Sequence, residues 1–155
     1  MEVFIMINGG YTQKLLRINL TNQTFVEEII PEKIITDYMG GAGVALKYMF
    51  DEVNGAIDPL SPENTLYFSD GPLTGTGAPS SARFNISALS PQTGILASSN
   101  CGGSFGFHLK KAGYDALILK GKCQTRKWLE INEEQILFHD AEDLWGTKSS
   151  ECQEK

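Results

Sequence analysis

Residues 99–119 read SNCGGSFGFHLKKAGYDALIL and decide the fold that we predict for this chain. The stretch passes from a short strand through a glycine-rich turn into a helix, which ends at Gly113 before a strongly apolar strand. The turn around Asn100 and Gly102 presents free backbone N–H groups and bare carbonyls, which suit an anion with a bound cation. The alternative is a tight corner that needs only a positive φ.

A second loop, residues 71–82, is rich in Gly, Pro, Ser and Thr and leads directly to Arg83. A guanidinium is always charged and offers planar, bidentate donors, so Arg83 is a candidate to hold a phosphate or another anion. The alternative is a surface arginine at a strand edge. Gly102 permits close approach of a ligand, and the main-chain oxygen of Asn100 is a suitable ligand for Mg²⁺.

The rest of the chain alternates irregularly between strands and helices, which favours an α+β fold with mixed or antiparallel sheets over a doubly wound sheet. We expect residues 1–155 to form one domain. Residues 14–20 alternate as in a half-buried strand. The predicted strands cover residues 14–20, 24–29, 65–69, 83–89, 95–98, 114–119, 126–131 and 135–139, and the predicted helices cover 31–39, 43–53 and 104–112, with a further helix starting in the tail.

Composition excludes several classes of function. The net charge of -6 argues against nucleic acid as a partner, and no apolar run approaches the roughly 20 residues of a membrane span. Cys101, Cys123 and Cys152 are odd in number and form no C-x-x-C pair, which indicates a reducing, cytoplasmic compartment and no complete iron–sulfur site. We interpret His108 and His139 as solvated or hydrogen-bonded histidines.

Ten short motifs follow one another from about residue 9 to residue 147, at residues 10–12, 15–21, 58–64, 71–76, 83–85, 90–94, 100–103, 109–116, 121–122 and 144–146. Their order and spacing together are far more specific than any one motif. In this order and spacing the chain resembles the N-terminal domain of the aldehyde ferredoxin oxidoreductase family, whose members are tungsten- or molybdenum-bis-pterin enzymes.

The resemblance implies a role for three residues. Arg83 and Gly102 would contact the pterin, and the main-chain oxygen of Asn100 would bind the Mg²⁺ that joins the phosphates of the two pterins. It also implies a neighbouring 4Fe-4S cluster beside Arg83, with cysteine ligands outside this chain. The implied reaction oxidises an aldehyde to a carboxylic acid with ferredoxin as electron acceptor, and no catalytic residue is expected in these residues.

Members of the family continue beyond the last motif found here. We therefore expect an incomplete, C-terminally truncated N-terminal domain that is inactive by itself and forms homo-oligomers through exposed apolar surface. The alternatives are a stand-alone, non-catalytic module that binds a pterin or phosphate or serves in assembly, and a decayed remnant. The DNA downstream of this sequence would distinguish the first two.

Overall fold

The computed structural model describes residues 9–53 and 57–154, and their elements confirm the α+β class. The predicted elements are present, most of them within two residues of the expected bounds. In chain order the elements are β1 Lys14–Asn19, β2 Thr24–Ile29, α1 Glu32–Tyr38, α2 Ala42–Glu52, β3 Leu66–Asp70, β4 Phe84–Leu89, β5 Leu96–Cys101, α3 Phe105–Lys111, β6 Ala116–Lys120, β7 Lys127–Ile131, β8 Ile136–Asp140 and α4 Ser149–Glu154.

Six strands form one mixed sheet in the order β2-β1-β6-β3-β4-β5, and β7 pairs with β8 in a separate hairpin. β1 and β6 run parallel, whereas the other pairs in the large sheet are antiparallel. β1 and β6 lie inside the sheet, and β5 lies at its edge. Among residues 9–53 and 57–154, no strand pairs with the outer side of the β5 backbone.

Both faces of the central strands are covered. Leu15, Tyr67 and Ile118 pack in a cluster with residues of α1 and α2, while Leu16 and Ile18 pack on the other face with residues of α3 and the β7–β8 hairpin. The predicted alternation in β1 is present, since Leu16 and Ile18 are buried and Arg17 is partly exposed, but Leu15 adds a buried position on the opposite face. Alternation along one strand does not reveal that a second layer of structure covers the opposite face.

A buried ion pair joins three segments on the α3 side. The Lys110 ammonium pairs with the Asp115 carboxylate and donates to the carbonyl of Gly10 at 3.0 Å. Asp115 Oδ2 accepts the Gln13 N–H at 2.6 Å. A Cβ on Gly75 would lie 2.9 Å from Cγ of Lys110, so the 71–82 loop packs directly against this side chain. Lys110 thus holds α3, the loop and the segment before β1 together.

Candidate functional site

The structure brings Arg83, Asn100 and Gly102 to one end of the β4–β5 ladder. The register pairs Phe84 with Cys101, so Arg83 comes directly before the ladder and Gly102 directly after it. β5 continues to Cys101, which places Asn100 within the strand, whereas we expected the strand to end at residue 98. The extension follows from β4, which supplies a pairing partner for each residue of β5.

The carbonyl of Asn100 faces the open edge of the sheet. The Ser90 N–H donates to the Ile95 carbonyl at 2.8 Å, so Ser90 and Ile95 form a hydrogen-bonded pair at the turn between β4 and β5. In an antiparallel pair, hydrogen-bonded and non-hydrogen-bonded positions alternate. Five residue pairs further along, Asn100 lies opposite Asn85 in a non-hydrogen-bonded position. Its backbone N–H and C=O therefore point away from β4.

Gly102 leaves open space beside Asn100. A Cβ at Gly102 would meet no heavy atom within 4 Å, so packing within the described chain does not require glycine there. The positive φ of the turn, 105°, belongs to Gly103. The need for a positive φ therefore explains the glycine at position 103. It does not explain why position 102 is also a glycine.

Arg83 combines an anchored backbone with a free side chain. Its carbonyl accepts a hydrogen bond from Oγ1 of the buried Thr74 at 3.2 Å. Its guanidinium is exposed and makes no hydrogen bond or ion pair with residues 9–53 or 57–154. A cation with unused bidentate donors on an anchored backbone is suited to an anionic ligand.

The turn between β5 and α3 is held from below by aromatic and close backbone contacts. The Phe105 ring lies 4.7 Å from the Phe84 ring and 5.8 Å from the Phe68 ring, measured between centroids. A Cβ on Gly106 would lie only 2.6 Å from Oδ1 of Asp70. These contacts fix where α3 begins and hence where Gly102 and Gly103 lie.

Asp70 is a buried carboxyl group that the sequence reasoning missed. Both of its oxygens are buried without a hydrogen-bond partner in the described chain. Burial raises the pKa of Asp70 to about 7; the Lys110 ammonium opposes this rise and the Asp115 carboxylate adds to it. Its place at the end of an apolar strand, just before the 71–82 loop, was the available signal. Asp70 therefore holds a proton over much of the acidic range.

Other candidate groups have ordinary structural roles. His139 Nε2 lies 2.8 Å from Oε2 of Glu130, and its ring stacks on Trp128 at 4.2 Å, which confirms the interpretation as a hydrogen-bonded histidine. The three cysteines are free. Among the described residues, no group of three or more His, Cys, Asp or Glu side chains is placed to hold a metal, and no helix is long and apolar enough to cross a membrane.

Comparison with known proteins assigns the family. The model of the family described as "Aldehyde ferredoxin oxidoreductase, N-terminal domain" matches residues 15–155. This chain belongs to the aldehyde ferredoxin oxidoreductase family. The resemblance inferred from the motif order is thereby confirmed, and the chain is part of a family of oxidoreductases.

Relatives within this family carry related names. A protein of Pyrococcus abyssi named "Tungsten-containing aldehyde ferredoxin oxidoreductase" is 42% identical over 144 residues, which cover 93% of this chain and 24% of that protein. A protein of Pyrococcus furiosus named "Aliphatic sulfonate oxidoreductase, WOR-like subunit" is 31% identical over 140 residues, which cover 88% and 22%. The chain spans about a quarter of the length of these curated relatives.

A solved structure confirms the fold, again over nearly the whole of this chain and about a fifth of the other. The active site complex BamBC of benzoyl coenzyme A reductase, solved with 1,5-dienoyl-CoA, has a TM-score of 0.91 and 35% sequence identity. The match covers 94% of this chain and 22% of that one. Over the matched region, that structure therefore has the same mixed sheet with a few short helices as this chain.

Proposed function

We propose that this chain is the pterin-binding N-terminal portion of an oxidoreductase that oxidises aldehydes to carboxylic acids, with ferredoxin as electron acceptor. Arg83 and Gly102 would contact the pterin, and the main-chain oxygen of Asn100 would bind a Mg²⁺ beside the pterin phosphates. The relatives named as aldehyde ferredoxin oxidoreductases, at 37–42% identity, favour an aldehyde substrate and tungsten over molybdenum.

The observation that carries this proposal is the outward carbonyl of Asn100 at an open sheet edge. A carbonyl oxygen is a hard donor of the kind that Mg²⁺ prefers. Arg83, whose guanidinium has no partner among the described residues, lies at the same end of the β4–β5 ladder as Asn100. The open space at Gly102 lies at this end too. A neutral oxygen, a cation and a bare backbone fit a magnesium phosphate on a planar ring system.

The residues of this chain bind and orient the cofactor rather than react. A bound tungsten- or molybdenum-bis-pterin supplies the two-electron redox chemistry. Arg83 balances anionic charge, Gly102 admits the ligand to the backbone, and Thr74 fixes the backbone of Arg83 through its hydroxyl. We propose that the ligands of the 4Fe-4S cluster and the aldehyde pocket lie outside these 155 residues, so that the chain by itself does not turn over aldehyde.

The proposal also extends to compartment and assembly. The free cysteines are consistent with a cytoplasmic protein. Met39 and Phe50 are 70% and 85% exposed, and Phe50 lines an apolar groove with Met49 and Leu96. Exposed apolar surface of this kind supports self-association, which light scattering over a concentration series would measure.

Cofactor retention tests the proposal. The protein is produced with tungstate and molybdate, and pterin is quantified by fluorescence after oxidative release, together with W, Mo and Mg by elemental analysis. Arg83→Ala should lower bound pterin about tenfold or more. Arg126→Ala is the matched control, because Arg126 is also exposed but stacks on Trp145 in the 126–145 region. Wild-type protein free of pterin and metal, or equal retention by both variants, would contradict the proposal.

A further inference from the structure

The face of β4 that carries Asn85 is unusual because two of its residues are polar and fully buried. Asn85 and Ser87 have no exposed surface, and Ser69, opposite Asn85 on β3, is buried as well. Ser98 and Asn100 of β5 lie opposite Ser87 and Asn85 and share this face. Burying polar groups costs stability unless they are hydrogen-bonded, so apolar residues would serve a purely structural core better.

The Asn85 amide ties the last half of β5 to β4. Its Nδ2 donates to Ser98 Oγ at 2.8 Å and to the Ser99 carbonyl at 3.2 Å, and it lies 3.5 Å from Oδ1 of Asn100. Its Oδ1 accepts the Ser87 hydroxyl at 2.7 Å. These contacts surround the residue whose carbonyl faces the open edge, and they come from beneath the strand.

We propose that Asn85 is a positioning residue for the metal-binding carbonyl of Asn100, an inference that rests on the proposed function. β5 has no neighbouring strand on its outer side within the part of the chain that the structure describes, and the ends of such edge strands open easily. The Asn85 amide prevents this by holding Ser98, Ser99 and Asn100 from the buried face. The outer carbonyl of Asn100 then keeps its direction before any ligand binds.

Asn64 provides a matched control for Asn85. Its Nδ2 donates to the carbonyls of Pro59 at 2.7 Å and Leu89 at 3.0 Å, and its Oδ1 accepts the Leu89 N–H at 3.2 Å. Asn64 therefore clamps the opposite end of β4 with the same chemistry. Asn85→Asp and Asn64→Asp each keep the shape of the side chain and remove its N–H donors.

Two readouts separate positioning from general stability. The first is amide hydrogen exchange along β5, and the second is calorimetric binding of Mg²⁺ with inorganic pyrophosphate. Asn85→Asp should speed exchange at Ser99 and Cys101, whose N–H groups face β4, and weaken magnesium pyrophosphate binding, each about tenfold, because several hydrogen bonds are lost. Asn64→Asp should change both by less than about twofold, with its faster exchange confined to residues near Leu89.

Ser98→Ala keeps the inference testable if Asn85→Asp does not fold, because Ser98 is exposed and its loss removes one contact of the amide. It should change both readouts in the same direction by about threefold. Equal effects of the Asn85 and Asn64 variants, or unchanged exchange at Ser99 and Cys101, would overturn the positioning role. Absence of pyrophosphate binding in the wild type would count against the proposed function, and the exchange result would still decide the role of Asn85.

Discussion

The centre of the sheet and its β5 edge differ in what covers them. In the centre, Leu15, Leu16 and Ile18 are fully buried by apolar layers on both faces. At the edge, every residue of β5 is exposed, and the fully buried residues of its partner strand are the polar Asn85 and Ser87. Apolar packing stabilises the centre of the sheet, whereas side-chain hydrogen bonds hold the β5 edge.

This difference separates stability from binding in the same sheet. Apolar burial in the centre supplies most of the free energy of folding, whereas exposed edges open most easily. The candidate magnesium and pterin contacts lie at the edge, where backbone groups remain available. A polar layer beneath them keeps the edge ordered without covering it. Departures from apolar packing are expected where a site has to be formed.

The largest expected effect concerns the ion pair that joins the loop, α3 and the segment before β1. Lys110→Met leaves the Asp115 carboxylate buried without its partner, so the free energy of unfolding should fall by about 4 kcal/mol. Urea denaturation followed by circular dichroism measures this. Adding Asp115→Asn should restore more than half of the loss. A loss below about 1 kcal/mol in the single variant would show that the pair does not hold these segments.

Leucine truncation compares the two regions directly. Leu16→Ala should destabilise by about 3 kcal/mol, because Leu16 is fully buried and a cavity remains. Leu96→Ala, on the β5 edge and 45% exposed, should cost less than about 1 kcal/mol. The same denaturation measurement applies to both. Similar losses would mean that the edge is as much a part of the core as the centre.

The buried carboxyl of Asp70 predicts a pH dependence. Its pKa is raised to about 7 in the folded protein, so the folded state binds the proton more tightly than the unfolded state. The free energy of unfolding should therefore fall as the pH rises from about 4 to about 7, by an amount on the order of 3 kcal/mol, and not fall further through this group.

Asp70→Asn removes this ionisation and isolates it from the other titrating groups. The variant should be more stable than the wild type at about pH 8, and the difference should shrink towards about pH 4. Chemical denaturation at several pH values measures both proteins. A difference that does not change with pH would show that Asp70 does not titrate in this range.

The smallest effects distinguish Gly102, in the turn after β5, from Gly106, in the first turn of α3. Gly106→Ala should destabilise by about 1 kcal/mol or more, because its Cβ would lie 2.6 Å from Asp70 Oδ1. Gly102→Ala should change stability by less than about 0.5 kcal/mol, because its Cβ meets open space. Pterin retention should show the reverse ranking, with the larger loss at Gly102. A destabilised Gly102 variant would assign that glycine to the fold instead of the ligand.

The sequence was sufficient to predict the helices, the strands and the family. It was less sufficient to predict the length of the edge strand β5. Periodicity and turn residues located the strands and helices, and motif order identified the family. The length of β5 was underestimated because Ser99, Asn100 and Cys101 have weak strand preference and are held by pairing with β4. Local patterns do not contain such tertiary contacts.

The buried polar face was missed for a similar reason. Phe84, Ile86 and Ala88 drew attention as the apolar face of β4, yet Asn85 and Ser87 are the more buried residues. Two polar residues at alternate positions were the available signal. Only the position of α2 over this face shows that they are enclosed, since a single strand does not specify which layer packs on it.

The central claim is that the Asn100 carbonyl binds magnesium, and one labelled peptide bond tests it. Asn100-Cys101 is the only Asn-Cys step in the sequence, so protein with carbonyl-¹³C asparagine and ¹⁵N cysteine gives a single correlated amide signal. With inorganic pyrophosphate present, this signal should shift on addition of Mg²⁺ and broaden with Mn²⁺. An unmoved, sharp signal under conditions where calorimetry shows that the metal is bound would contradict the account.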